Sequence, residues 1–372
     1  MTPFSLLIKP TSADCNLRCR YCFYLDHAEL YPETKRHRMS DEVLEKLISS
    51  YMATFQPKYL FSWQGGEPTL MGIDFFRKVN ELQQKYGTYG SSIGNGMQTN
   101  ATMINDELAE HLKKYNWLVG VSIDGVKDIH DHYRKTVDGR GSNDAVLKGL
   151  FCLKRHGVDF NVLVLVNNIN VRKGKETYRY LRDMGCTYLQ FIPCVEFDEK
   201  NQPLEYTVSP DDWGQFLCDV YDEWLKKDVS TVSVRLFDAV LNKEVKGVNT
   251  ICRMGDNCCQ YFCVEYNGDV YPCDFFVAKE WKLGSLMKDS WEELLASKRY
   301  AKFGKQKKQW NKSCSGCDVL DYCMGDCLKY RIYNGNTPEK LSWLCVGWQR
   351  FYRHALPGLK KIAEKIKARG TA

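Results

Sequence analysis

The chain reads as an α/β protein: a partial (β/α)6 barrel followed by a cysteine-rich extension with little regular structure. Three observations predict this. Six short β-rich runs alternate with amphipathic helical stretches over the first 240 or so residues. After that the periodicity stops, and glycine, aromatics and cysteine take over. Finally, 17 cysteines occur in 372 residues, three near the N-terminus and most of the others beyond residue 250. Six β–α units in series imply a parallel sheet with right-handed crossovers, too few for a closed eight-unit barrel but enough for an open one.

The expected strands are "SLLIK" (5–9), "YLFSWQ" (59–64), "SIGNGMQTN" (92–100), "WLVGVSID" (117–124), "DFNVLVLVN" (159–167) and "TYLQFIP" (187–193). Helical spacing of apolar residues fills 40–55, 73–87, 105–115, 142–157 and 172–185. Ser40 is a suitable N-cap for the first helix, and Gly157 and Gly185 suit the ends of the last two. A further helix, "DDWGQFLCDVYDEWLKK", precedes the change in composition. The boundaries expected are a barrel over 1–245, a cysteine-rich domain over 246–350 and a C-terminal helix over 351–372.

Composition narrows the class. Hydrophobic content of 44% and charged content of 26% are those of an ordinary folded protein. The net charge of +6 sits largely in "LKKIAEKIKARG" and "KFGKQKKQW", which read as a solvated helix face and a surface loop, so no nucleic-acid partner is expected. "VLVLV" is strand-length, and no membrane partner is expected. The opening "MTPFSLLIKPTSADC" carries no secretory pattern, which points to the cytoplasm. In a reducing compartment, so many cysteines argue for metal or cluster ligation over disulfides.

In such folds chemistry gathers at the C-terminal ends of strands. "CNLRCRYC" (15–22) follows the first strand and "GGEPT" (65–69) the second; "QTN" (98–100) ends the third and "SIDG" (122–125) the fourth. Three cysteines spaced x3 and x2 can hold three corners of a cubane and leave one iron open. A zinc ion completed by His27 or His37 is the alternative. In the second half, "CRMGDNCCQYFCVEYNGDVYPC" (252–273), "CSGCDVLDYCMGDC" (314–327) and Cys345 offer enough thiols for two closed sites, and a zinc ribbon is the alternative there.

The C-x3-C-x2-C loop with an aromatic before its last cysteine, together with "GGEPT", resembles the radical S-adenosylmethionine (AdoMet) enzymes. The resemblance implies that Cys15, Cys19 and Cys22 hold a [4Fe-4S] cluster. It also implies that Tyr21, Gly66, Ser122, Arg134 and Val195 contact AdoMet. The C-terminal cysteine string resembles the SPASM extension of peptide-modifying members. That implies one auxiliary [4Fe-4S] cluster on Cys252, Cys258, Cys273 and Cys327, and a second on Cys314, Cys317, Cys323 and Cys345. Cys259 and Cys263 compete with Cys258, and Cys152 reads as core.

"YPCDF" (271–275), with "LLIKPTS…CNLRCRYCFY", "FSWQGGEPTL", "QTNAT", "VSIDG" and "LQFIPC", is similar over essentially the whole chain to the anaerobic sulfatase-maturating enzymes. That similarity implies oxidation of a cysteine or serine in a sulfatase C/S-x-P-x-R segment to Cα-formylglycine. A deoxyadenosyl radical would remove the Cβ hydrogen, Asp274 would act as base, and an auxiliary cluster would take the second electron. Tyr24 and Gln64 become candidate substrate contacts, against plainer roles as an aromatic core residue and a strand-end polar residue. The partners implied are an unfolded sulfatase polypeptide and a low-potential donor such as ferredoxin or flavodoxin, with the chain acting as a monomer. Two other readings carry weight: a SPASM enzyme forming thioether or other crosslinks in a ribosomal peptide, and a non-catalytic electron carrier or zinc-stabilised protein. The crosslinking enzymes often carry an N-terminal recognition domain, whereas 14 residues precede Cys15 here.

Overall fold

A computed structural model describes residues 3–25, 29–332, 335 and 337–370. The strands among them are β1 (Ser5–Lys9), β2 (Lys58–Trp63), β3 (Ser92–Thr99), β4 (Leu118–Ser122), β5 (Phe160–Val166), β6 (Tyr188–Pro193), β7 (Ser233–Val234), β8 (Tyr261–Glu265), β9 (Asp269–Tyr271) and β10 (Gly284–Ser285). The helices are α1 (Asp41–Met52), α2 (Ile73–Tyr86), α3 (Asp106–Lys114), α4 (Lys127–Tyr133), α5 (Asn143–Arg155), α6 (Gly174–Asp183), α7 (Pro210–Lys227), α8 (Arg235–Lys246), α9 (Trp291–Ala296), α10 (Lys298–Lys305), α11 (Leu320–Cys323) and α12 (Cys345–Gly370). No helix among the described residues is long and apolar enough to cross a membrane.

The six strands read from the sequence are β1 to β6, with ends that differ by at most two residues. Local chemistry explains the agreement. In β2 the buried residues alternate with exposed ones, and Tyr59, Phe61 and Trp63 are wholly inside. Helix α1 starts where Ser40 accepts from the Val43 amide, with Asp41 and Glu42 in its first turn. Gly157 (φ 65°) and Gly185 (φ 75°) take the left-handed conformation that ends α5 and α6.

The chain divides into two compact units: Met1–Ser122, His130–Phe160 and Cys259–Gly304; and Ile123–Ile129, Asn161–Cys258 and Lys305–Ala372. In the first unit, β1, β2, β3 and β4 are parallel neighbours in that order. The cysteine-rich segment then contributes to this sheet. Strand β8 lies parallel to β1, from Ser5 opposite Tyr261 to Lys9 opposite Glu265, and β9 and β10 continue antiparallel. The sheet is therefore mixed, and the extension holds more regular structure than its composition suggests. The reason is burial: Phe262, Cys263 and Val264 form an apolar run that no solvent-facing loop accommodates.

In the second unit β5, β6 and β7 are parallel, and α12 packs along α7. That contact is close because glycines face each other. A Cβ on Gly214 would lie 2.7 Å from the Gly347 Cα. Trp213 and Trp348 close the contact edge-to-face at 5.5 Å. Replacing Gly214 by Leu is expected to force α7 off α12 and cost about 1–3 kcal/mol, read as a lower urea midpoint in anaerobic denaturation.

Candidate functional site

The loop after β1 is folded back by its own backbone. Ser12 and Asp14 donate to Lys9 and Thr11 carbonyls, and the Cys22 amide to that of Cys19. Its rim is fastened where the Arg18 and Arg20 amides donate to the Lys135 and Tyr133 carbonyls. Cys15, Cys19 and Cys22 line one cavity of about 210 Å³ with Ala13, Leu17 and Gly66.

The turn after β2 forms the adjoining wall. The Gly66 and Glu67 amides donate to the Ser12 and Asp14 carbonyls at 2.7 and 2.8 Å. A Cβ on Gly66 would sit 1.9 Å from the Asp14 carbonyl oxygen, so only glycine permits this approach. Glu67 is fully buried and fully used. Its Oε1 accepts from the Thr69 amide and hydroxyl and from the Thr99 hydroxyl, and its Oε2 from the Asn100 amide. It ties the end of β2 to the end of β3, a structural task that the "GGE" match did not reveal.

Burial first, and then the Glu67 carboxylate, push the Cys15 thiol up to about 12. A set of thiols in such a place is suited to ligating a cationic centre, which supplies the charge that desolvation removes. Zinc is the poorer fit. A single ion needs its donor atoms crowded together. Among the described residues, the grouping with donors all within 4.8 Å is Asp106, Cys152 and His156, and none of the candidate cluster cysteines belongs to it. His37 is also spent: Nδ1 bonds Asp14 Oδ1 at 2.8 Å and Nε2 the Tyr31 carbonyl at 3.0 Å. His27 lies outside the described residues. Cys152 is buried on α5, as a core residue should be.

Of the expected AdoMet contacts, Gly66 lines the cavity. Tyr21 is joined to Arg134, whose Nη1 donates to the tyrosine hydroxyl at 3.2 Å. Ser122, at the end of β4, accepts from Gln98 Nε2. Val195 stands in the second unit, buried, two residues beyond β6.

The second unit gathers two groups of thiols. Cys258 lies within electrostatic reach of Cys327 and Cys252, and burial, followed by the Cys327 charge, pushes it up to about 12. Cys345 lies within reach of Cys314 and Cys317, and Cys323 within reach of Cys345. Burial, the leading cause for each, pushes Cys323 to about 12 and Cys345 to about 11. Donors of this type fit two cluster-binding sets. The competitors of Cys258 are engaged elsewhere, in the first unit. The Cys259 thiol faces the Tyr300 carbonyl at 3.2 Å, and Cys263 is sealed in β8. Cys273 is also in the first unit, its Sγ 3.2 Å from the Tyr261 hydroxyl.

Next to Cys273, Asp274 is 4% exposed and surrounded by polar side chains. Its Oδ2 accepts from the Tyr24 hydroxyl at 2.5 Å and from Gln64 Nε2 at 2.9 Å. Gln64 also donates to the Tyr24 hydroxyl at 2.9 Å. Tyr24 and Gln64, read only as loose substrate contacts, thus meet the candidate base directly, across 250 and 210 residues of sequence. Burial, then the Asp274 charge, drive the Tyr24 hydroxyl well up, so it stays protonated and donates. Sequence reasoning missed Lys9 and Glu265, which lie beneath this trio. The available signal was a lysine and a glutamate each closing an apolar strand, "LLIK" and "FCVE".

Comparison with known proteins shows the family. Residues 10–181 match the Radical SAM superfamily and residues 252–318 the SPASM iron-sulfur cluster-binding domain. The chain is 39% identical to the serine-type anaerobic sulfatase-maturating enzyme of Bacteroides thetaiotaomicron, over 98% of this chain and 92% of that protein. It is 34% identical to the cysteine-type enzyme of Clostridium perfringens, over 99% of this chain and all (100%) of that protein. Native anSMEcpe, solved with bound AdoMet and the Cp18Cys peptide, superposes with a TM-score of 0.91 at 34% identity, covering 98% of this chain and 99% of that one.

The Gly66 contact can be tested directly. Gly66→Ala is expected to separate the turn from the cysteine loop and cost about 1–3 kcal/mol, measured by chemical denaturation of anaerobic protein. Gly96→Ala, where an added Cβ would come no nearer than 3.8 Å to the Leu118 carbonyl oxygen and the backbone is not left-handed, is the control for added bulk.

Proposed function

The chain belongs to the anaerobic sulfatase-maturating enzymes, and we propose from that premise that it oxidises the cysteine or serine of a sulfatase C/S-x-P-x-R segment to Cα-formylglycine. It is a radical SAM oxidoreductase with a SPASM domain, and it uses iron–sulfur clusters and AdoMet. The cluster ligands are Cys15, Cys19 and Cys22; Cys252, Cys258, Cys273 and Cys327; and Cys314, Cys317, Cys323 and Cys345. The AdoMet contacts are Tyr21, Gly66, Ser122, Arg134 and Val195. The substrate is a peptide segment, as in the relative solved with one. The enzyme works as a cytoplasmic monomer and takes its electron from a donor of the ferredoxin or flavodoxin type.

When bound, a three-cysteine cluster with AdoMet supplies a hydrogen-abstracting deoxyadenosyl radical, and a fully ligated cluster supplies an acceptor for a second electron. The residues of the chain handle the rest. The substrate loses one hydrogen atom from Cβ, one electron, and the proton of its thiol or hydroxyl. Asp274 accepts that proton. Tyr24 and Gln64 orient its carboxylate and line the place where the target side chain sits. The product is an aldehyde from serine, or a thioaldehyde from cysteine that water converts to aldehyde and hydrogen sulfide. The observation that carries this reading is the buried Asp274 carboxylate, adjacent in the chain to Cys273 and held on Oδ2 by Tyr24 and Gln64.

The test is anaerobic incubation of reconstituted enzyme with C-x-P-x-R and S-x-P-x-R peptides, AdoMet and reductant. Mass spectrometry is expected to show deoxyadenosine and peptide aldehyde together. Deoxyadenosine with a crosslinked peptide and no aldehyde would replace this reading by the crosslinking one. Asp274→Asn is expected to keep its iron yet lose aldehyde formation by roughly 10²-fold or more. Iron analysis is expected to give about twelve irons per chain, falling to about eight when Cys15, Cys19 and Cys22 are all replaced by Ala.

A further inference from the structure

Lys9 is the last residue of β1, and Glu265, the last of β8, is its partner across the two strands. Both side chains are 0% exposed, and Lys9 Nζ lies 2.7 Å from Glu265 Oε1. The ammonium also stands 3.6 Å from Asp274 Oδ1 and 4.8 Å from the centre of the Tyr24 ring. Gly65, with φ at 116°, makes room for this stem: a Cβ there would meet the Lys9 Cβ at 3.1 Å and Cγ at 3.2 Å.

The two oxygens of Asp274 therefore face different surroundings. Oδ1 looks into a sealed pocket of Lys9 and the Cys263 thiol, 3.6 and 4.0 Å away. Oδ2 looks at Tyr24 and Gln64. Two hydrogen bonds hold Oδ2, and the Lys9 ammonium 3.6 Å away gives Oδ1 a charged neighbour as well, so each oxygen of the carboxylate is held in a distinct environment. A buried ion pair is an expensive way to join two strands, since apolar residues of similar size do so as well or better. Lys9–Glu265 has a use that apolar residues would not serve: it holds a fixed positive charge against one oxygen of Asp274.

We propose that Lys9 is the positioning residue of Asp274. Its ammonium, anchored by Glu265, holds Oδ1, and the substrate proton goes to Oδ2 as the Gln64 amide gives up its hydrogen bond there. The proposal rests on the reading of Asp274 as base. Lys9 does not touch the substrate; it acts through Asp274. Burial alone would favour loss of the Lys9 proton, but Glu265 and Asp274 outweigh it and keep the group charged.

Lys9→Met alone would leave Glu265 buried and unpaired, which endangers folding. Two paired replacements avoid this: K9M with E265L, an apolar pair, and K9Q with E265Q, a hydrogen-bonded neutral pair. Each is compared with the wild-type chain for iron content, thermal unfolding, deoxyadenosine formed, and aldehyde formed from the peptide. Expected in whichever pair folds are wild-type iron, a peptide KM within about twofold, and deoxyadenosine formation retained. Aldehyde per deoxyadenosine is expected to drop about tenfold or more. Adding either pair to D274N is expected to change nothing further, because Lys9 acts only through that carboxylate. A folded pair variant with wild-type aldehyde per deoxyadenosine would overturn the role of Lys9 alone, as would a further loss on top of D274N. A wild-type chain that cleaves AdoMet but forms no aldehyde would overturn the base assignment and Lys9's role together.

Discussion

Strand β8 lies parallel to β1, and the chemistry of the first unit hangs on that pairing. Parallel register sends both strands toward the same end of the sheet. The chain leaving β1 builds the three-cysteine loop, and the chain leaving β8 turns through β9 to Cys273 and Asp274. Had β8 paired antiparallel, Glu265 and the turn after it would emerge at the opposite end. The five-residue register also sets Glu265 beside Lys9, and so decides which charge stands under Asp274.

Desolvation is the second organising force. The thiols of Cys15, Cys258, Cys323 and Cys345 are all pushed up, with burial the leading cause in every case. Free thiolates are poorly stable in such places, whereas thiolates bound to iron are not. The same principle explains why Glu67 collects four hydrogen bonds and why Lys9 sits between two carboxylates. Glu67 and Lys9 each have groups nearby that offset their burial, as the cost of burying an uncompensated charge demands.

Much of this was legible in the linear order of residues. Alternation located β1 to β6, because half-buried strands must alternate and buried parallel strands must be apolar. Glycines stopped α5 and α6 because only glycine enters the left-handed region freely. Cysteine spacing singled out the loop at 15–22, since three thiols that line one cavity from one loop must be close in sequence. The extension was harder. "YFCVE" is too short and too mixed to separate from a loop, and its burial comes from β1, more than 250 residues earlier. Lys9 and Glu265 each read as ordinary polar strand ends, because the meaning of either lies in the other.

The sequence by itself determined the fold class, the resemblance that proved to be one of family, and Asp274 as the candidate base. Those properties are local: a period, a spacing or a short string carries each of them. The tertiary structure alone decided that Tyr24 and Gln64 meet Asp274 on one oxygen and Lys9 on the other, that Cys258 rather than Cys259 or Cys263 stands with Cys252 and Cys327, and that His37 is already satisfied by Asp14 and Tyr31. Those facts depend on which strands pair and in what register, and a pairing between β1 and β8 has no local trace in either strand.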